Sequence, residues 1–315
     1  MFSLNLNIYM EVNNGFLILN KGKNCTSHDC VKKIKKIFNV KKVGHTGTLD
    51  PQVTGVLPIA LGSATRFIQY LPQEKSYIGI IQLGIKTTTD DIYGEIIEQK
   101  DVPKLTFDDL DNSLNSFRGT FQQIPPKVSS VHINGERAYK KSWRKENFTL
   151  PSKEVRVESL ILKDWDLSNR QLRIEINCSS GTYIRSIARD LGNLLKSGGC
   201  LYDLRRIKAS GFSEVKSIDL EHLINKRNHI DKLIIPISEA LDHMPKIYLS
   251  NELDILFWRT GRQIEIESKN LIKKYSHFEK QNFLVFDNEY QLLGIGNYVH
   301  KDFDLLLPKL VINAL

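Results

Sequence analysis

Phe16-Leu17-Ile18-Leu19 is an unbroken apolar run closed by Asn20-Lys21-Gly22, which predicts a buried strand ending in a turn. Thr26 or Ser27 can cap a helix beyond it, with Val31, Ile34 and Phe38 at helical spacing and Lys32, Lys33, Lys35 and Lys36 on its other faces. The segment 44–51, Gly-His-Thr-Gly-Thr-Leu-Asp-Pro, is too rich in glycine for a regular element and reads as a shaped loop. Residues 77–83 are apolar on both faces, as in a central strand. From Gln171 to Cys178 the pattern alternates, Leu172, Ile174, Ile176 and Cys178 to one side and Arg173, Glu175 and Asn177 to the other. Ser180-Gly181-Thr182 ends that strand, and a helix follows with Ile184, Ile187, Ala188, Leu191, Leu194 and Leu195 as its apolar stripe. Strands and helices interleaved so irregularly predict an α+β fold on a mixed or antiparallel sheet. Pro236 and Pro245 punctuate the chain, and beyond them 283–286 and 291–299 flank Asp287-Asn288-Glu289 as a hairpin. The expected division is a larger domain at 1–243 and a small, mostly β domain at 244–315.

A length of 315 residues accommodates these two domains. The 44 Lys and Arg against 36 Asp and Glu leave a formal charge of +8, a mild preference for polyanionic partners. No apolar run approaches the ~20 residues that cross a bilayer. The start, MFSLNLNIYMEV, has neither a basic n-region nor a small-residue cleavage site, so a secretory signal is not expected. Four cysteines in a chain of this length do not suggest a disulfide framework. These features predict a cytoplasmic protein with reduced thiols.

Candidate chemistry concentrates in the 44–51 loop. Pro51 pushes Asp50 out of the α region into an extended conformation, and Gly44 and Gly47 let the backbone bend and approach a ligand. An aspartate with an ordinary pKa of about 3.9 is ionised at neutral pH. It can therefore act as a covalent nucleophile without the partner base that Ser or Thr needs. Asp, Gly and Pro are also the commonest turn formers, so by composition alone the segment could be a plain turn. No Ser-His-Asp or Cys-His arrangement competes with it. Cys25, His28 and Cys30 lie close together but fit no zinc spacing, so no metal is expected. The His-x-Glu and Pro-Cys-x-x-Cys pair of a base deaminase and a Gly-x-Gly-x-x-Gly turn are missing. Lys32, Lys33, Lys35, Lys36, Lys41 and Lys42, with no acidic residue among them, read either as a solubilising helix face or as a phosphate-tracking surface beside the loop.

The complete string Gly44-His45-Thr46-Gly47-Thr48-Leu49-Asp50-Pro51, followed by Thr54-Gly55-Val56-Leu57-Pro58, resembles the catalytic signature of the TruB family of tRNA pseudouridine synthases. The surrounding segments fall in that family's order: 15–21, then Ala64-Thr65-Arg66-Phe67, Lys75-Ser76-Tyr77, 124–130, 178–186 and Leu204-Arg205-Arg206. The resemblance is strong over 15–240 and looser beyond, where the family carries a small PUA-like RNA-binding domain. It implies that Asp50 attacks a flipped-out uridine of the tRNA T-arm, at ribose C1′ or base C6. It further implies that Tyr77 stacks on the base and can assist proton removal from C5, and that Arg185 pairs with the catalytic carboxylate. His45, Tyr183 and Leu204 match positions that contact the flipped nucleotide or the RNA, Lys21 supports the loop, and Arg66 counts among the substrate-binding residues. A mobile insert at about 125–156 is expected to close over the RNA. No metal, nucleotide or redox cofactor is implied, nor a membrane or an obligatory protein partner, and a monomer is expected. The alternative is a tRNA-binding or folding chaperone, for which binding rather than chemistry is the task.

The demands of the reaction agree with these roles. A stacked uridine cannot reach Asp50 and must be flipped out, at a few kcal/mol, of which an aromatic platform returns about 1–3 kcal/mol. Outside the motif, Tyr77 would be an ordinary core or edge tyrosine. Arg185, one helical turn before Arg189, would belong to a solvated face. The chain departs from the family pattern in four places. Lys21-Gly22 replaces Lys-Pro, Thr88 replaces a common acidic residue with Asp90 and Asp91 close behind, Val128-Ser129-Ser130 replaces Tyr-Ser-Ala, and Trp143-Arg144 stands near the usual Ala-Arg. These bear on RNA grip and not on the reaction.

Overall fold

The computed structural model describes residues 14–225, 232–266, 281–300 and 304–314; the reading of the first twelve residues lies outside them. Gly15–Lys21 is a strand, and its uninterrupted apolar run has a simple cause. Leu17 and Leu19 face one hydrophobic core while Phe16 and Ile18 face another, so both sides of the strand are buried. Thr54–Leu61 pairs with it antiparallel and divides in the same way, Leu57 and Ile59 against Val56 and Ala60.

These strands belong to a ten-stranded sheet. Its main path runs Ile218–Asp219, Gly15–Lys21, Thr54–Leu61, Gly199–Ala209, Lys75–Leu83, Gln171–Cys178, Lys153–Asp166 and Gly119–Gln123. Most neighbours are antiparallel, but Gly199–Ala209 meets Thr54–Leu61 in parallel at Arg205 and Arg206. The fold is therefore α+β on a mixed sheet, with Lys75–Leu83 at its centre. Gly44 and His45, the first two residues of the expected loop, instead join Val43 in a short strand paired along Thr54–Leu61.

Helix Ser27–Phe38 starts at Thr26, whose side chain accepts from the Asp29 amide while Asp29 reaches back to Thr26. Helix Ile184–Leu194 lies on the sheet with Ile184, Ile187, Ala188 and Leu191 buried, but Leu194 is 51% exposed. Gly192 explains the narrower stripe. A Cβ there would sit 2.1 Å from the Gly199 nitrogen, so the helix seats on its glycine and turns Leu194 outward.

A second sheet of five strands runs Lys246–Tyr248, Asn282–Phe286, Leu292–His300, Asp304–Val311 and Ile264–Glu265. Fully buried Trp258 centres its own core, its indole donating to the Leu293 carbonyl at 3.1 Å. Leu284, Phe286, Ile295 and Leu310 join Phe16, Ile18 and Phe67 in one shared core, so the two sheets are packed together. No described helix is long and apolar enough to cross a membrane.

Candidate active site

The loop carrying Asp50 is tied down through its backbone. Ser27, in the first turn of its helix, accepts from the Leu49 amide at 2.8 Å and donates to the Leu49 carbonyl at 3.1 Å. Buried Lys21 donates from Nζ to the Pro51 carbonyl at 3.0 Å, and Arg206 from Nη2 to the Gly47 carbonyl at 3.1 Å. The Thr46 amide donates to the Pro58 carbonyl, and the Val53 amide closes a turn on the Asp50 carbonyl, both at 3.1 Å. With Leu49 buried as a plug, Asp50 is fixed while its side chain stays 44% exposed. Burial pulls the Lys21 ammonium below its ordinary value, against the raising influence of nearby thiols and Asp50.

Arg185 Nη2 stands 2.8 Å from Asp50 Oδ2. Its side chain is only 8% exposed, and both terminal nitrogens are further engaged: Nη1 bonds the Thr89 carbonyl at 3.0 Å, Nη2 the Val128 carbonyl at 3.1 Å, and Asp91 lies 3.7 Å away. A planar fork held at so many points can aim a carboxylate. Asp91 is itself held by Thr89 Oγ1 at 2.7 Å and the Tyr93 amide at 3.1 Å. One turn on, Arg189 bonds Asp90 at 2.9 Å, Asp190 at 2.8 Å and the Ile124 carbonyl at 2.8 Å. The two arginines are thus a buried, paired face and not the solvated one their spacing suggests. Adjacent Asp90 and Asp91 supply the counter-charges, and their pairing with arginines about a hundred positions away has no signature along the chain.

Next to Asp50 opens a cleft of about 260 Å³, lined by Asp50, Thr89, Asp91, Val128, Arg185 and Leu204 among others. Clefts for drug-sized ligands run to about 300–1,000 Å³, so this one is in scale with a single nucleobase. Tyr77 lies under the loop, nearly buried, directly across the sheet from Arg206. Burial pushes its phenol up to about 12, with Arg206 opposing and the Asp50 charge adding slightly. Burial also raises the Tyr183 phenol, again with a contribution from Asp50. The Tyr183 backbone is clamped at both ends by buried Gln123, its amide donating at 2.8 Å and its carbonyl accepting at 3.1 Å. His45 sits on the short 43–45 strand with its pKa lowered by burial and by Arg206, and its Nδ1 has no partner among the described residues.

Asp50, Arg185, Tyr77, Tyr183, Leu204 and Lys21 are therefore gathered around one loop. Arg66 is not among them. It lies at the seam between the sheets, its guanidinium donating to the Val311 carbonyl of the second sheet. Ser27, Asp91, Arg189 and Arg206 are additional site-building residues that sequence reasoning had not assigned. Among the described residues no group of three or more His, Cys, Asp or Glu side chains is placed to hold a metal ion.

Residues 35–184 match the model of the TruB family pseudouridylate synthase (N terminal domain), and residues 185–242 that of the tRNA pseudouridylate synthase B C-terminal domain. The tRNA pseudouridine synthase B of Prochlorococcus marinus strain MIT 9515 is 57% identical over 305 residues, covering 97% of this chain and 100% of that protein. The protein of the same name from Synechococcus sp. strain CC9311 is 48% identical over 258 residues, covering 81% and 86%. Among solved structures, a chain of a Cbf5-Nop10-Gar1 complex superposes with TM-score 0.71 at 23% identity, over 97% of this chain and 87% of that one. A chain of an H/ACA RNP bound to a substrate RNA containing 2'-deoxyuridine gives 0.69 at 22%, over 97% and 87%. At those identities the solved structures share the fold. The sequence matches, spanning nearly the whole chain, go further: the chain belongs to the TruB family of tRNA pseudouridine synthases.

Proposed function

We propose that this chain isomerises uridine to pseudouridine in the T-loop of tRNA, at position 55, with Asp50 as the nucleophile. The reading rests above all on one observation: an immobilised, half-exposed carboxylate paired at 2.8 Å with a buried guanidinium beside a base-sized cleft. The 57% identical Prochlorococcus relative carries the name tRNA pseudouridine synthase B. In attack at C1′ the Asp50 oxygen bonds to the sugar as the C1′–N1 bond breaks, its electron pair leaving with N1. The base turns within the cleft, C5 bonds to C1′ and the C1′–O bond of the ester breaks, returning the Asp50 carboxylate. The C5 proton departs and N1 gains one, so the reaction is balanced without any cofactor. Attack at C6 makes the same demand for an aimed carboxylate. On this reading the protein is a cytoplasmic monomer that works on the tRNA T-arm without an obligatory protein partner. The direct test is to incubate the protein with an unmodified tRNA transcript and map pseudouridine by carbodiimide adducts. Binding without product would favour the chaperone alternative.

Tyr77 separates stacking from proton transfer. Tyr77→Phe keeps the platform and loses the hydroxyl, so RNA affinity should stay within a few-fold while single-turnover formation falls by about 10²–10⁴-fold. Tyr77→Ala should lose stacking as well, weakening binding by about 1–3 kcal/mol. Filter binding and single-turnover rates on the three proteins check this. Equal rates in all three would make Tyr77 purely structural.

The 125–156 segment is the proposed grip on the RNA. Trp143, 73% exposed, stands edge-on to Tyr139 at 4.9 Å between ring centres, available to a base. Its cations are not equivalent. Arg144 is tied to Glu136 and Glu146, both at 2.6 Å, and Lys141 to Glu146 at 3.0 Å, whereas Lys140 and Lys145 form no ion pair among the described residues. Each lost phosphate contact lowers the log–log salt slope by about 0.7–0.9. Neutralising Lys140 and Lys145 should therefore flatten the slope by up to roughly 1.4–1.8, and adding Lys141 and Arg144 should change it little further. Affinity across a salt series measures this, and parallel slopes for native and neutralised proteins would remove the insert from the RNA.

A further inference from the structure

Beyond anchoring the loop at Gly47, Arg206 carries a charge that the chemistry above does not use. It is 0% exposed and forms no ion pair among the described residues. Its Nε bonds the Val56 carbonyl at 2.7 Å and its Nη2 bonds Gly47, the Tyr77 hydroxyl lies against the guanidinium, and Nη1 is left without a well-formed hydrogen bond among the described residues. Lys75, half-buried, precedes Tyr77 by two residues and so shares its face of the strand. Its Nζ donates only weakly, to Ser180 Oγ at 3.3 Å, and forms no ion pair among the described residues. Burial and the neighbouring Arg206 charge bring the Lys75 ammonium down to about 8. Two partly or wholly desolvated cations side by side are unfavourable until an anion joins them.

Gly47 shows where that anion fits. Its φ lies outside the left-handed region, so the backbone alone does not demand glycine. A Cβ at this position would stand 3.1 Å from Lys75 Nζ and 3.6 Å from Arg206 Nη1. What glycine provides is a narrow notch against the two cations, too tight for a methyl unless the lysine gives way. In the two residues before Gly47, Thr46 Oγ1 and His45 Nδ1 are also buried polar atoms without partners among the described residues. Ser180 is exposed, and a Cβ on its neighbour Gly181 would lie 3.0 Å from Lys153 Nζ, so a further lysine continues the path outward.

We propose that the notch formed by Gly47, Lys75 and Ser180 over Arg206 seats one backbone phosphate of the RNA, the linkage adjoining the flipped nucleotide. Lys75 and Tyr77 are two strand residues apart, about 7 Å, so an anion on Lys75 sits close to the sugar of a base stacked on Tyr77. Lys75 makes the contact, while Arg206, out of reach beneath, supplies field. The seat would fix the nucleotide's backbone while its base detaches and turns. This proposal rests on the RNA-isomerase reading above.

The test uses a T-arm stem–loop in which each linkage around the target uridine is replaced, one at a time, by a neutral methylphosphonate. With the native protein, one adjoining linkage should weaken binding by about tenfold when neutralised, as for the loss of a single charge-assisted contact. Lys75→Gln should show the same loss on unmodified RNA and no further loss on that neutral linkage. Gly47→Ala, which fills the notch and removes no charge, should behave likewise, and Lys75→Arg should keep the linkage effect. Equal sensitivity to the neutral linkage in native protein and Lys75→Gln would overturn the seat, as would the absence of any linkage that stands out. Native protein forming no pseudouridine in the unmodified stem–loop would instead sink the isomerase reading itself. Product formed without coupling sinks the seat alone.

Discussion

Asp50→Asn should leave the protein folded and tRNA affinity within a few-fold, while pseudouridine formation falls by about 10⁴-fold or more. The substitution is nearly isosteric, and every anchor on the loop is a backbone group: Leu49 on Ser27, Pro51 on Lys21, Gly47 on Arg206 and the Asp50 carbonyl itself. None depends on the Asp50 side chain. The amide oxygen can still accept from Arg185, so the cleft keeps its shape. An amide cannot become the covalent nucleophile, and the other carboxylates lining the cleft are engaged: Asp91 is held by Thr89 and Tyr93, and Asp203 pairs with Lys23 at 2.7 Å. Single-turnover assays with a tRNA transcript and carbodiimide mapping measure the loss, and filter binding measures the affinity. Product at a substantial fraction of the native rate would mean that another group attacks the uridine. Retained binding with no product would also give a protein in which any chaperone activity stands alone.

Much of the scaffold is legible in the sequence because its signals are periodic. Leu172, Ile174, Ile176 and Cys178 alternate against polar neighbours, and the strand is Gln171–Cys178, the same span as the alternation. The run at Phe16 is apolar throughout because its two faces serve two cores, which a single-face pattern would not produce. The Asp50 loop is legible only as a motif, since its composition equally fits a turn. What holds the loop has no such signature. Ser27 reads as a possible cap but spends its hydroxyl on Leu49, twenty-two residues on. Arg206 is wholly buried on carbonyls, an environment that its strand position does not announce. Arg185 and Arg189 look solvated because their partners, Asp91 and Asp90, stand about a hundred positions earlier in the chain. Leu194 fits helical periodicity yet points to solvent, because Gly192 sets the closest approach of helix to sheet. Arg66 falls within a family motif, and its contact with Val311 joins two sheets far apart in sequence.

Arg185→Met should damage stability and catalysis together, and its companion variants separate the two. Methionine keeps the apolar stem and removes the charge, leaving the Thr89 and Val128 carbonyls without their donor. It also leaves Asp50 and Asp91 facing a common gap with nothing between them. Removing one partner of a buried pair typically costs about 3–5 kcal/mol, and the low end applies because Asp50 can rehydrate toward the cleft. Single-turnover activity should fall by on the order of 10³-fold, the scale for losing one preorganised electrostatic contact to the reacting group. Arg185→Lys restores a cation but not the planar fork, so it should recover most of the stability and little of the rate. Adding Asp91→Asn to Arg185→Met removes the like-charge opposition, and should likewise return stability without activity. Chemical denaturation and single-turnover rates across the set make the comparison. An Arg185→Met protein active within tenfold of native would show that the guanidinium stabilises the fold without aiming the nucleophile.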